Sequence, residues 1–218
     1  MLLQEIKKYL SDREQDLSSI REERKAVLDR VSEYIRDRLL MKKKAELLYI
    51  CPENARTSHF GQMWAQAAAA FCNLPQVYSY SGGNEITTFH LSAIKAARKA
   101  GFMIEMMKEG NHNPVYRLIF DDDKSPRLFF SKRFDDPANP CEGFCAILTC
   151  SEADEAFPHI PGAVNRISCI YPTPEISDNT PEQEAAYEET CRIIATESLY
   201  VMKKAKAMIP EVVLSGML

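Results

Sequence analysis

Leu47, Leu48, Tyr49 and Ile50 form an unbroken apolar run that stops at Cys51, and after a polar loop an alanine-rich stretch, GQMWAQAAAAFC, fills residues 61–72. Consecutive apolar positions suit a strand buried on both faces, as in a parallel sheet. Alanine is the strongest helix former, and a parallel strand needs a crossover of that kind. The rest of the chain repeats the alternation. Residues 77–80 read as a second strand, broken by Ser81, Gly82 and Gly83, and residues 92–100 as a helix stopped by Gly101. Residues 115–120 and 127–130 flank the turn Asp121, Asp122, Asp123, Lys124 and read as a hairpin. Residues 144–149 and 165–170 read as strands, and 181–208 as a long helix. This order predicts an α/β fold, a three-layer α/β/α domain with a parallel central sheet and helices on both faces. Ligands in such sheets bind at the carboxyl ends of the strands, where Cys51 and Cys150 both fall.

Residues 1–44 contain neither glycine nor proline and read as an N-terminal helical extension to a domain spanning 45–218. Ile20, Val27, Leu28, Val31, Ile35 and Leu39 recur at helical spacing, and Ser19 with Glu22 forms a capping box. The expectation is a helical hairpin packed on the main domain, or a docking arm through which a partner or a second copy would bind as a homodimer. With 218 residues, 45% hydrophobic and 27% charged, the chain can bury an ordinary core, which excludes wholesale disorder. A net charge of -4 argues against nucleic-acid binding through bulk charge. No apolar run reaches the roughly 18 residues a membrane helix needs, and the start turns polar too early for a secretory signal. Seven irregularly spaced cysteines then point to reduced thiols in a cytoplasm. Without CxxC pairs no structural zinc site is expected; no other metal and no cofactor is expected either.

A cysteine at a strand end, followed by a loop and a helix N-terminus, has a physical use. Loop N–H groups can cradle an anion, and the helix field favours a nucleophilic thiolate. Around Cys51 the residues Glu53, Asn54, Ala55, Arg56, Thr57, Ser58 and His59 precede Gln62, Trp64 and Gln66. This pattern resembles the phosphate loop and first helix of the low-molecular-weight protein tyrosine phosphatases, closest to the branch with thioredoxin-coupled arsenate reductases. The resemblance extends through Tyr80–Glu85, Ala93–Ala96, Ala100–Phe102, Asn113–Tyr116, Ser131–Lys132, Cys150–Glu155, Pro161–Ala163 and Arg166–Ile167. It implies Cys51 as nucleophile and residues 51–58 as the cradle for phosphate or another oxyanion. Ser58 would cap the helix, Asn54 would brace the loop, and Ser81 and Glu85 would tie the second strand end to it. His59 is a supporting loop contact.

The resemblance also implies an arginine six residues after the cysteine, clamping the oxyanion in a bidentate fork, and an Asp–Pro general acid. Thr57 stands where that arginine belongs, with Arg56 one position early. Either the loop is shorter and Arg56 turns inward, or Arg56 is a surface residue and the clamp is absent. Thr173 stands where the acid belongs, with Glu175 and Asp178 nearby as weak substitutes. Cys150 matches the first relay thiol of the arsenate reductases, but Phe157 occupies the place of the second, and Cys145 is a poor substitute. Arsenate reduction is thereby disfavoured.

Other residues carry blander readings. Asp121, Asp122 and Asp123 read as a solvated turn, and His90, His112 and His159 as surface positions. Trp64 reads as a packing anchor, and Cys72, Cys169 and Cys191 as core. The leading functional expectation is weak hydrolysis of phosphomonoesters, including phosphotyrosine, through Cys51. The alternative is an inactive relative that binds an anion or a phosphorylated protein through the same cradle. A thiol-redox role for Cys51 ranks below both, because no resolving cysteine stands nearby in sequence.

Overall fold

The structure, a computed structural model, describes residues 1–108, 112–122 and 127–215. The chain begins with α1 (Gln4–Arg13), a 3₁₀ turn (Glu14–Ser19) and α2 (Glu22–Leu40). There follow β1 (Ala45–Ile50), α3 (Thr57–Phe71), β2 (Val77–Gly82), α4 (Leu91–Lys99), β3 (Met103–Lys108), β4 (Val115–Ile119) and β5 (Arg127–Phe129). The last part holds β6 (Phe144–Leu148), α5 (Ser151–Ala156), β7 (Ala163–Ser168), a second 3₁₀ turn (Pro174–Ser177), α6 (Gln183–Ala207) and α7 (Glu211–Ser215). Strands β2-β1-β6-β7 form a parallel sheet flanked by helices, so the α/β architecture is as the alternation predicts. Ile50 pairs with both Gly82 and Leu148, so three strands end at one level. That register gathers Cys51, Gly83 and Cys150 at a single sheet edge.

Side chains alternate across the sheet because a strand has a period of two. Leu47, Tyr49, Cys145, Ile147 and Ile167 pack with residues of α2, α3 and α6 in one core. Leu48, Ile50, Ala146 and Leu148 face the other way, covered by Ala153 of α5, Phe157 and Ile160. Small residues let α3 approach closely: a Cβ at Gly61 would lie 2.2 Å from the Tyr49 ring. Trp64 is fully buried, stacked on Tyr9 at 4.9 Å, and donates its indole N–H to Cys191 Sγ at 3.1 Å. Cys72, Cys169 and Cys191 are core residues, and all seven cysteines are free.

The N-terminal segment joins this core through Ile6, Leu10, Leu28, Val31, Ile35 and Leu39. Its helices pack on the rest of the fold, but not as a hairpin: α1 lies on α3 and α6, while α2 lies on α6, β1 and β7. The capping box does not form either. Ser19 Oγ donates to Asp16 O within the 3₁₀ turn, and α2 starts at Glu22 without a side-chain cap.

A second, antiparallel sheet, β3-β4-β5, contains the expected hairpin and an unforeseen strand, β3. Of the turn between β4 and β5, Asp123 and Lys124 lie outside the described residues. Strand β2 is not broken at Ser81 and continues to Gly82. Gly101 adopts φ +106 just past α4, the left-handed ending that glycine permits.

Candidate functional site

Residues 51–57 fold over the aligned strand ends and lead into α3. The loop carbonyls are held from outside. Pro52 O accepts from Asn84 N (2.7 Å) and Glu85 N (3.1 Å), and Ala55 O from His90 N (3.0 Å). Glu53 O accepts from Thr87 Oγ1 and Ser131 Oγ, each at 2.9 Å. Among the described residues, the N–H groups of residues 53–57 have no protein acceptor. Successive free N–H groups at the start of a long helix make an anion-binding concavity.

Asn54 shapes this turn. It is fully buried at φ +47, a conformation asparagine tolerates. Its Nδ2 donates to Ser58 Oγ (2.9 Å), and its Oδ1 accepts from Lys132 N (2.9 Å). Gly83 closes the far side: a Cβ there would lie 2.6 Å from both Asn54 N and Pro52 O. Cys51 is nearly buried, its Sγ 3.0 Å from Ser58 Oγ. Ser58 is not the helix cap. It lies inside the first turn of α3, and Arg56 occupies the cap position.

Arg56 meets neither sequence alternative cleanly. Its guanidinium leaves the cradle for the rim, where Nη1 meets Glu53 (2.8 Å) and Nη2 meets Asp178 (3.2 Å) and Glu175 (3.4 Å). Nε donates to Tyr187 OH (3.0 Å), and that hydroxyl donates to Asp178 Oδ1 (2.9 Å). The side chain is 14% exposed, so it is a locked rim group rather than a free surface one. Thr57, at the clamp position, points to the sheet and is hydrogen-bonded to Thr149 Oγ1 (2.8 Å), which donates to Ile50 O (3.0 Å).

The resulting cleft measures about 150 Å³ and brings together Cys51, Ala55, Thr57, Cys150 and Thr173. Glu53, Glu152 and Glu175 also line it, three carboxylates against the one guanidinium of Arg56. Thr173 lies at the cleft, where a hydroxyl offers a hydrogen bond but no acid for neutral pH. Asp178 has both oxygens engaged, one by Arg56 and the other by Tyr187 and Gln183. Burial pushes the Cys150 thiol up to about 12, with Cys51 adding to the rise, so Cys150 stays protonated at neutral pH. Cys145 lies in the core on the opposite sheet face, and Phe157 is buried. Among the described residues no three His, Cys, Asp or Glu side chains are placed to hold a metal.

The supporting residues divide. His59 is fully buried behind the loop, with Nδ1 3.3 Å from Ser81 Oγ and its ring 4.2 Å from Phe89. Burial, then the charge of Lys132, holds its pKa well below the usual histidine value, so it braces rather than transfers protons. Ser81 also donates to Gln62 Oε1 (2.6 Å). Glu85 ties the loop only through its backbone N–H, its side chain being exposed. His90 is not merely a surface residue. It caps α4 by accepting from Ser92 N and stacks on Tyr187 at 5.2 Å. Sequence reasoning missed Thr149, Tyr187 and His90, each of which reaches the site from a distant segment.

Among the described residues no helix is long and apolar enough to cross a membrane. No family profile and no curated protein matches the sequence. Among solved structures, the chain is similar to a low-molecular-weight phosphotyrosine phosphatase (VcLMWPTP-2) from Vibrio cholerae O395. The TM-score is 0.49 and the identity 10%, covering 73% of this chain and 94% of that one.

Proposed function

We propose that the chain is a relative of the low-molecular-weight phosphatases whose Cys51 loop binds a small oxyanion, free or on a phosphorylated partner, without efficient turnover. The sequence pattern from Cys51 to Gln66 and the free N–H groups of residues 53–57 support the binding half of this reading. The observation that carries the other half is the Arg56 fork, engaged by Glu53, Asp178, Glu175 and Tyr187. Phosphoryl transfer depends on positive charge where the equatorial oxygens gather charge. Here that fork would have to leave three carboxylates before it could serve. Thr173 supplies no proton to a leaving oxygen, so an alkoxide or phenoxide would depart unassisted.

One contact favours slow hydrolysis as a second reading. Ser58 Oγ at 3.0 Å from Cys51 Sγ can support a thiolate beneath an intact cradle. Loss of a clamp and of a general acid each remove roughly 10²–10⁴-fold in rate, which leaves little activity. Arsenate reduction by a relay of thiols finds no second thiol within reach, since Phe157 carries none and Cys145 lies on the opposite face of the sheet.

Calorimetric titration of inorganic phosphate, alongside p-nitrophenyl phosphate assays, tests the proposal on wild type, Cys51→Ser and Arg56→Ala. Phosphate binding that survives Arg56→Ala within about threefold, with no turnover dependent on Cys51, is the expected result. Turnover lost in Cys51→Ser and lowered about 100-fold in Arg56→Ala would overturn it in favour of an active enzyme. No phosphate binding at all would remove the cradle from consideration.

A further inference from the structure

Behind the Cys51 loop, between α3, β2 and β5, lies a second and larger cleft of about 730 Å³. That volume falls in the range of roughly 300–1,000 Å³ typical of small-molecule sites, which are mostly apolar with a few placed polar groups. Its walls are aromatic, formed by Tyr78, Tyr80, Phe120, Phe129 and Phe130. Lys132 lines it too, with only 3% of its surface exposed. Among the described residues, its ammonium has no hydrogen-bond acceptor and no carboxylate within ion-pairing distance. Its Nζ lies over the Phe130 ring, 5.0 Å from the ring centre.

A buried, unpaired ammonium is costly, and native structures rarely keep one without a use. Burial lowers its pKa from 10.5 to about 8, and the field of Asp136 only partly opposes the shift. The other charges on the cleft, Asp121 and Arg127, are joined to each other by two hydrogen bonds of 2.8 and 3.0 Å. Among the described residues, Lys132 is then the charged group on the cleft without an ionic partner. Gln62 adds a second donor: Ser81 Oγ occupies its Oε1, and its Nε2 has no acceptor among the described residues. Lys132 and Gln62 both line the cleft and both neighbour the buried His59, one through its field and the other through Ser81.

We propose that this cleft binds a planar organic monoanion, an aryl or heteroaryl carboxylate. Its carboxylate sits on Lys132 Nζ and Gln62 Nε2, and its ring lies among Tyr80, Phe129 and Phe130. The ring supplies apolar and stacking area, and the carboxylate supplies the charge-assisted bond that the ammonium lacks within the protein. This site is separate from the Cys51 cradle and stands whether or not the cradle binds phosphate.

The test compares 2-naphthoate with 2-naphthamide, which keeps the ring and loses the charge, by calorimetry on the full chain. Naphthoate binds wild type with a dissociation constant below about 1 mM, and the amide about 10- to 100-fold more weakly. Lys132→Met lowers naphthoate affinity by a similar factor and leaves the amide within about twofold, while Cys51→Ser changes neither. If Lys132→Met does not fold, amide-proton NMR on wild type decides: shifts on naphthoate addition cluster at residues 127–132 and 62–66. The proposal is overturned by equal affinity for acid and amide, by shifts confined to residues 51–58, or by no saturable binding up to about 5 mM.

Discussion

The cleft at the strand ends and the cleft around Lys132 treat their cations in opposite ways. At the strand ends, Arg56 is surrounded by Glu53, Asp178, Glu175 and Tyr187, and the cleft it lines is small and rich in carboxylates. Behind the loop, Lys132 is buried among aromatic rings with its ammonium unmatched. A paired charge stabilises the fold but has little left to give a ligand. An unpaired buried charge strains the fold and is available to one. The residues that look catalytic in sequence are thus the ones the fold has engaged structurally, and the available cation lies elsewhere.

The change with the largest effect strikes both clefts together. Gly83 packs on Pro52 and Asn54, and its N–H donates to Lys132 O at 2.9 Å. A methyl group there meets backbone rather than a movable side chain, so Gly83→Ala costs about 3 kcal/mol in urea unfolding. A cost below about 1 kcal/mol would show that the loop can shift and that the clefts are not rigidly coupled.

Lys132→Met sharpens the contrast next, through its sign. Removing an unpaired buried amine stabilises the protein at pH 7, by about 1–2 kcal/mol. The pH dependence follows from a lysine pKa depressed to about 8 in the folded state. Between pH 8 and the unfolded value near 10.4, the unfolded chain holds the extra proton, so wild-type stability rises with pH across that window. Lys132→Met lacks that rise, and the difference between the two proteins cancels the tyrosine ionisation they share. Parallel curves from pH 8 to about 9.5 would mean that the amine is paired after all.

Arg56→Ala has the opposite sign. It strips partners from the nearly buried Asp178 and from two half-exposed glutamates, which costs about 1–2 kcal/mol by chemical denaturation. A stabilising result would erase the distinction between the clefts. The smallest effect belongs to Thr57→Val, which keeps the shape and removes one hydroxyl. Thr149 still reaches Ile50 O, so the loss is about 0.5–1 kcal/mol, measured as a modest shift in denaturation midpoint.

What could be read in advance was whatever depends on neighbours in sequence. The apolar run from Leu47 to Ile50, the alanines of α3 and the glycine after α4 each announce their local structure through propensity and burial. Asn54 as the brace of the loop followed from the resemblance; its partner Ser58 lies one helical turn away, but Lys132 N lies 78 residues on. The fate of Arg56 was not. Its partners Tyr187 and Asp178 stand 131 and 122 residues further along the chain, and nothing in the local pattern says where they will meet. Lys132 stood in plain view beside Ser131, but its isolation is a property of the folded surroundings. Strand β3 was missed because its exposed methionines, Met103, Met106 and Met107, give little alternation until β4 pairs with it.

The single tryptophan has a practical consequence of another kind. Trp64 lines neither cleft, and it is held by Tyr9 of α1 on one side and Cys191 of α6 on the other. Its emission therefore reports the docking of the first helix. If α1 lifts away, the indole meets water and the spectrum moves to the red. A ligand filling either cleft leaves that environment untouched, so a fluorescence titration that stays flat says that the first helix has kept its seat and says nothing about occupancy.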